Sequence, residues 1–319
     1  MAATSSTVRL PQMSGATYLT DSGLETDLIF NHGFDLPDFA SYPLLANEVG
    51  RARLVDYYRE HWEIAERHGF GVVFETPTWR ANPDWGLRLG HDLDALAAFN
   101  RDAAALLMEV RSESGAESDT FVVSGDLGPR GDGYVPGDRM SADEATAYHS
   151  WQVRELADAG VDVITILTVN YVEEGLGVAN AAAGVGLPAV ISFTVETDGR
   201  LPDGGELADA IERVDQEATA QPAYFMVNCA HPTHVLDTLQ RDGEWKQRIA
   251  GFRANGSRMS HAELDEIESL DAGDPQELGR LFLDIRDAAP SITILGGCCG
   301  TDARHVDGIA TAMVESGRR

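Results

Sequence analysis

Lysine is all but missing from this chain: Lys246 is the only one in 319 residues, and the remaining basic residues are arginine. Basic residues are few as a class, 24 against 52 acidic ones, for a formal net charge of −28. A surface this negative repels phosphate backbones and anionic headgroups, so nucleic acid and membrane surfaces are not expected partners. It suits a salt-rich cytoplasm, although a GC-rich genome would favour the same composition. No run of about 18 apolar residues is present to span a bilayer. Residues 1–14 (MAATSSTVRLPQMS) lack the apolar centre of a signal peptide. A soluble cytoplasmic protein is expected. Cysteine is scarce as well, with three in the chain. An odd number without a secretory signal argues against a disulfide framework and for a reducing compartment.

Those three cysteines are placed with a pattern. Cys298 and Cys299 sit in Gly296-Gly297-Cys298-Cys299-Gly300-Thr301, directly after the apolar run Ile292-Thr293-Ile294-Leu295. Cys229 repeats the arrangement at the end of Tyr224-Phe225-Met226-Val227-Asn228. All three therefore fall where a strand ends and a loop begins, and parallel α/β folds gather those ends on one face. Three thiolates converging there would make a soft zinc site with a fourth position left for water or substrate. A vicinal disulfide or plain burial as small apolar residues is the alternative. The glycine flanks favour the metal, because they strip bulk from a loop that must fold around something.

In chain order, strand-like and helix-like stretches alternate. After a flexible leader over residues 1–16, Thr17–Asp21 reads as a first strand, and Asp21 at its end is either a helix cap or a carboxylate reaching a ligand. Pro43–Gly69 is a long amphipathic helix burying Leu54, Tyr57, Tyr58 and Ile64, with Gly69 as its terminator. Gly71–Phe74 is the second strand, leading into Glu75-Thr76-Pro77-Thr78-Trp79-Arg80. Leu93–Val110 is helical, with a core stripe of Leu93, Leu96, Phe99 and Leu107. Phe121–Ser124 is the third strand, followed by the loop Gly125-Asp126-Leu127-Gly128-Pro129, which lacks the lysine of a phosphate-binding loop. Ser141 and Glu144 form a capping box for a helix running to Ala159. Further strands are predicted at Val161–Thr168, Pro188–Val195, Tyr224–Cys229, Arg248–Asn255 and Ser291–Leu295. Helices fall at 173–183, Leu207–Thr219 and Leu278–Ala288. Eight strands with helical crossovers predict one α/β domain, a single (β/α)8 TIM barrel over residues 17–319, with an open doubly wound sheet as the alternative.

Asn228-Cys229 before a proline-containing helix start, together with Gly-Gly-Cys-Cys-Gly-Thr at 296–301, resembles the homocysteine S-methyltransferase family. The resemblance extends to Leu19-Thr20-Asp21-Ser22-Gly23-Leu24-Glu25-Thr26, to Thr76–Asn82 and to Gly125–Pro129. It implies that Cys229, Cys298 and Cys299 bind Zn2+ and that the protein is a methyltransferase. A methyl group would move from a small cationic donor (S-methylmethionine, S-adenosylmethionine or betaine type) to a zinc-activated thiol, homocysteine or a relative, giving methionine or a thioether. Asn228 would orient the site, and Asp21 with the amides of Ser22, Gly23 and Leu24 would hold the two ends of an amino-acid substrate. The family's fourth strand ends in Glu-Thr, whose carboxylate helps bind the homocysteine amine; here the pair reads Leu167-Thr168. Asp21, Glu75 or Asp126 would then supply the missing charge, or the acceptor is another thiol.

At 319 residues there is no room for cobalamin or folate modules, so a free small donor is expected. Its cation would rest on Trp79 and Trp85 if these are not simply packing residues. His231 and His234 lie near Cys229 and could support the metal site, or cap and solvate the following helix. The expected partners are thus a small-molecule thiol and a methyl donor, with homo-oligomer formation left open. A zinc hydrolase on the same barrel, or a non-catalytic metal-binding relative, is the competing reading. A hydrolytic site favours histidine and carboxylate ligands, and a structural zinc site needs a fourth protein ligand that cysteine does not supply here.

Overall fold

Inward-facing positions of the strands change character from one end to the other, and that gradient positions the site. A computed structural model describes residues 10–266 and 269–318. Eight parallel strands close into a barrel: β1 (Tyr18–Leu19), β2 (Gly71–Glu75), β3 (Phe121–Leu127), β4 (Val163–Val169), β5 (Ala189–Phe193), β6 (Tyr224–Ala230), β7 (Ile249–Ala254) and β8 (Ile294–Gly297). β1 closes the ring by pairing with both neighbours, Tyr18 standing opposite Gly71 of β2 and Ile294 of β8. Outside run α1 (Glu48–His68), α2 (Leu93–Ser114), α3 (Ala142–Asp158), α4 (Val172–Val185), α5 (Leu207–Glu217), α6 (Pro232–Gln240), α7 (Pro275–Ala288) and α8 (Ala303–Glu315). The predicted (β/α)8 barrel is the fold found.

Alternation explains the interior. Val73, Val122, Val163, Val190, Tyr224 and Ile294 form one buried apolar cluster low in the barrel. Their outward neighbours, Val72, Phe74, Phe121 and Phe225 among them, pack under the helices. Two or four residues further along the same inward faces the side chains become Glu75, Ser124, Asp126, Thr165 and Asn228, all buried. A period of two cannot place these anywhere but inside. They bond to one another: Ser124 Oγ lies 2.7 Å from Thr165 Oγ1, and Ser192 Oγ donates to Asn228 Oδ1 at 2.7 Å.

Local chemistry sets the helix limits. Asp92 caps α2 by accepting from the Ala95 N–H, and the Ser141–Glu144 capping box opens α3 as predicted. Gly69 ends α1 in the left-handed region, φ 76°. Several boundaries differ from the sequence reading. Tyr42–Ala46 is a 3-10 turn, so α1 begins only after the Asn47 cap. Leu93, expected in the core, is 51% exposed because it is the first residue after the Asp92 cap. Glu75 and Asp126, expected in loops, belong to strands β2 and β3; polar residues at inward positions look like loop in a sequence.

Of the predicted leader, residues 1–9 lie outside the described residues, whereas Leu10 and Gln12 are buried under the barrel's N-terminal end. Gln12 Nε2 donates to Tyr224 Oη at 3.3 Å, so packing begins earlier than residue 17. Among the described residues no helix is long and apolar enough to cross a membrane.

Candidate active site

The C-terminal ends of the strands surround a cavity of about 560 Å³. Cys229, Cys298 and Cys299 border it together with Asn228 and Thr168. Asp21, Ser22, Gly23, Leu24, Glu75 and Asp126 line the same space. The ligating sulfur atoms of the three cysteines all lie within 4.8 Å of one another, a group able to hold a metal ion. Cys229 Sγ is 3.7 Å from Cys299 Sγ. Cys229 and Cys298 make the closest pair of the three, and Cys299 stands beside them. The close pair joins β6 to the loop after β8, whose ends the barrel brings together, and no vicinal Cys298–Cys299 bridge forms.

Backbone geometry aims these sulfurs. Cys229 and Thr168 both adopt left-handed φ, 53° and 63°, at irregularities near the ends of β6 and β4. Such angles are unusual outside glycine, above all for a β-branched residue. Asn228 holds Thr168: its Oδ1 accepts the Thr168 N–H at 2.8 Å, and its Nδ2 donates to Thr168 Oγ1 at 3.0 Å and approaches Cys298 Sγ at 3.8 Å. The Cys229 carbonyl is held instead by Asn255 Nδ2 at 3.1 Å and His261 Nε2 at 2.7 Å. Gly297 has no room for a side chain, because a Cβ there would enter Thr301 Oγ1 and the Ser22 backbone. The cysteine loop is anchored on β7 and its loop, through Cys298 N–H to Ala254 O at 2.7 Å and Gly256 N–H to Cys299 O at 3.0 Å. Burial pushes the Cys299 thiol up, so on its own it is a poor nucleophile at neutral pH.

Behind the sulfurs lies a buried charge cluster. Arg253 of β7 pairs with Asp21 at 2.8 Å and contacts Glu75, and it also donates to Gly297 O at 3.0 Å and Ser22 O at 3.1 Å. Tyr57 donates to Asp21 Oδ2 at 3.2 Å. Glu75 Oε1 and Asp126 Oδ1 are buried without a partner. Burial pushes the Glu75 carboxyl up to about 8 even though Arg253 lies alongside. Burial, and then the neighbouring Glu75, hold Asp126 well above the usual carboxylate range. Leu167 borders the cavity and supplies no acceptor.

Three pairs of residues considered for the site from the sequence are held by contacts of their own. The amides of Ser22 and Gly23 are engaged, by Tyr57 Oη at 3.0 Å and by Thr301 Oγ1 at 3.2 Å, so they do not form an open carboxylate cradle. The faces of Trp79 and Trp85 are filled by the guanidinium of Arg80, 3.8 Å from each ring centroid, and not left for a donor cation. His231 accepts from the Thr233 N–H as the cap of α6, and His234 bonds Arg258 O at 2.9 Å; neither borders the cavity with the cysteines.

Two residues the sequence reading did not single out, Tyr134 and Arg253, contact the sulfurs and the buried carboxylates. Tyr134 Oη donates to Cys229 Sγ at 3.3 Å and lies 3.7 Å from Cys299 Sγ. Its ring packs on His261, whose Nε2 meets Cys229 O at 2.7 Å. No local pattern marked Tyr134. Arg253 was visible as a lone charge inside the run Ile249-Ala250-Gly251-Phe252-Arg253.

The sequence model of the homocysteine S-methyltransferase family matches residues 19–313. The chain belongs to that family. It is a methyltransferase, consistent with the thiol chemistry the sulfur cluster offers. The homocysteine methyltransferase MmuM of Escherichia coli has the same fold in three forms. Its metallated form is 22% identical, with a TM-score of 0.71 over 92% of this chain and 96% of that one. Its oxidized form is 18% identical, with a TM-score of 0.72 over 92% and 95%. Its apo form gives a TM-score of 0.65 at 18% identity over 93% and 96%.

Proposed function

We propose that this methyltransferase is zinc-dependent and moves a methyl group from a small cationic donor to homocysteine or a closely related thiol, forming methionine or the corresponding thioether. The observation that carries the reading is the meeting of three sulfurs from β6 and the loop after β8 at one mouth of the barrel. A Cys₃ set is soft, suits zinc, and leaves one tetrahedral position open. As thiolates, Cys229, Cys298 and Cys299 would together hold the metal. Bound there, zinc supplies the Lewis acidity that keeps an incoming thiol deprotonated near neutral pH. The acceptor sulfur gains the methyl, the donor leaves as a neutral thioether or amine, and the thiol proton passes to solvent.

The protein's own groups orient the partners. Asn228 fixes Cys298 and the turn at Thr168. The orphaned oxygens of Glu75 and Asp126 accept the ammonium of an amino-acid acceptor, the task of the glutamate that Leu167 replaces. Tyr134 covers two of the sulfurs from the cavity side and limits access of water. The test is metal content and thiol methylation measured on the same preparations. Cys229→Ser and Cys298→Ser should each lose most of the zinc and nearly all transfer to homocysteine across a panel of sulfonium and ammonium donors. Near-stoichiometric zinc in either variant, or hydrolysis without any methyl transfer by the zinc-loaded wild type, would overturn the reading.

A further inference from the structure

Arg80 stands just after β2, on the wall of the sulfur-lined cavity. Its guanidinium is clamped between the indoles of Trp79 and Trp85, 3.8 Å from each centroid, and the residue is only 7% exposed. Yet its hydrogen-bonding capacity is barely used. Nη1 donates to Gly131 O at 3.1 Å, Nε is buried with no acceptor, and among the described residues Arg80 forms no ion pair. Asp132, Asp38 and Glu25 favour the cation from nearby, but none bonds it: Asp132 Oδ1 accepts the N–H groups of Tyr134 and Val135, and Asp38 pairs with Arg88.

A guanidinium has five donors in a rigid plane, and the double stack fixes that plane before any ligand arrives. Leaving such a cation buried with no carboxylate bonded to it is costly, and a carboxylate meeting it lowers the cost. Across the cavity the need is reversed, since Glu75 and Asp126 present acceptors with no donor. The amides of Ser22 and Gly23 are already bonded, so an incoming carboxylate must find another partner.

We propose that Arg80 is the carboxylate-binding residue of this cavity. One of the two substrates, thiol or methyl donor, is then a zwitterion that lays its carboxylate on Arg80 and its cationic group toward Glu75 and Asp126. The assignment to a substrate rests on the methyltransferase reading above; the anion site does not. A choline-like donor without an anionic group gains nothing from the Trp79–Trp85 pair, because the protein's own cation occupies it.

Binding is tested first, without turnover, by calorimetric titration of the wild type with L-methionine and with L-methioninol, which has a hydroxymethyl group in place of the carboxylate. Methionine should bind about 10- to 100-fold more tightly, the span of a hydrogen bond to a charged group. Arg80→Gln should erase that preference. Arg80→Met, which keeps an apolar filling between the indoles, should erase it as well. Equal binding of the two ligands by the wild type, or equal weakening of both in the variants, overturns the proposal.

Kinetics then separate the sources. A KM raised for the thiol alone assigns the carboxylate to the acceptor, and one raised for a sulfonium amino acid alone assigns it to the donor. Unchanged KM for both sinks the proposal. Absence of methyl transfer alongside an intact carboxylate preference sinks the methyltransferase reading and leaves Arg80 standing.

Discussion

Replacing Arg253 with methionine removes the guanidinium that faces Asp21 and Glu75 while roughly keeping the volume of the side chain. Arg253 is 4% exposed and binds four groups from β1, β2 and β8 or their loops: the carboxylates of Asp21 and Glu75 and the carbonyls of Ser22 and Gly297. Taking one partner out of a buried pair costs about 3–5 kcal/mol, because the remaining charge is stranded in a poor solvent. The carbonyls of Ser22 and Gly297 each lose a donor as well. We therefore expect Arg253→Met to lose about 4 kcal/mol at pH 8, measured by urea unfolding followed through tryptophan emission.

The loss should depend on pH in a defined direction. Glu75 has a folded pKa raised by burial to about 8, above its unfolded value of about 4.5. Stability from such a group is fully present below the unfolded pKa and is lost as pH rises through the folded one. Arg253 opposes that loss by favouring the ionised form, so its removal moves the folded pKa higher still. The penalty of Arg253→Met should then grow as pH rises through and above about 8, where the wild-type carboxyl ionises and the variant's does not. Adding Glu75→Gln should recover part of it there. A cost below about 1 kcal/mol, or one that does not grow between about pH 7 and pH 9.5 and is indifferent to Glu75→Gln, would refute the claim that this arginine neutralises buried acid. Because its Nε holds Gly297 O, next to Cys298, the same variant should also bind zinc more weakly.

Two further outcomes are expected. Asp126→Asn should not lower the unfolding free energy at about pH 7, because burial and then Glu75 raise this carboxyl's pKa and folding must take up a proton or bury a charge that the amide avoids, while raising KM for an amine-bearing thiol about tenfold; a large loss of stability with unchanged KM would make the residue structural. Asn228→Ala should cost on the order of 3 kcal/mol, since the Thr168 N–H and the Ser192 hydroxyl lose their acceptor in a fully buried site, and should lower zinc affinity in a chelator competition; a cost under about 1 kcal/mol would show that the turn at Thr168 holds without it.

Much of the barrel was legible because its signals are local. Val and Ile runs, the Ser141–Glu144 box and Gly69 each act within a few residues, and eight repetitions leave few topologies open. The cysteines were legible for a related reason: strand ends converge in a closed parallel barrel whatever their separation along the chain. The roles of Arg253 and Tyr134 were not. Each acquires its role from partners far off in sequence, Arg253 from Asp21 and Glu75, and Tyr134 from Cys229 and Cys299. A window of ten residues around either of them contains none of these contacts. Trp79 and Trp85 misled because two indoles near one cavity invite a cation, and the cation was already in the chain, one residue beyond the first of them.

The left-handed backbone at Thr168 and Cys229 connects these observations. Each such angle costs on the order of 1–3 kcal/mol and persists only where its surroundings over-determine it. Both occur on strands separated by β5 alone, both coincide with a register irregularity, and both are adjoined or bonded by one amide, that of Asn228. A strand continuing in ordinary β geometry past Asn228 would send residue 229 outward, toward the helices, by simple alternation. The irregularity at Cys229 breaks that alternation, so that Asn228 and Cys229 both face the cavity. The position of the first sulfur is thus set by a backbone kink, whose carbonyl is held by Asn255 and His261, while the neighbouring kink at Thr168 and the approach to Cys298 Sγ are held by Asn228. If the three sulfurs bind zinc as proposed, loss of Asn228 should therefore weaken metal binding and folding together.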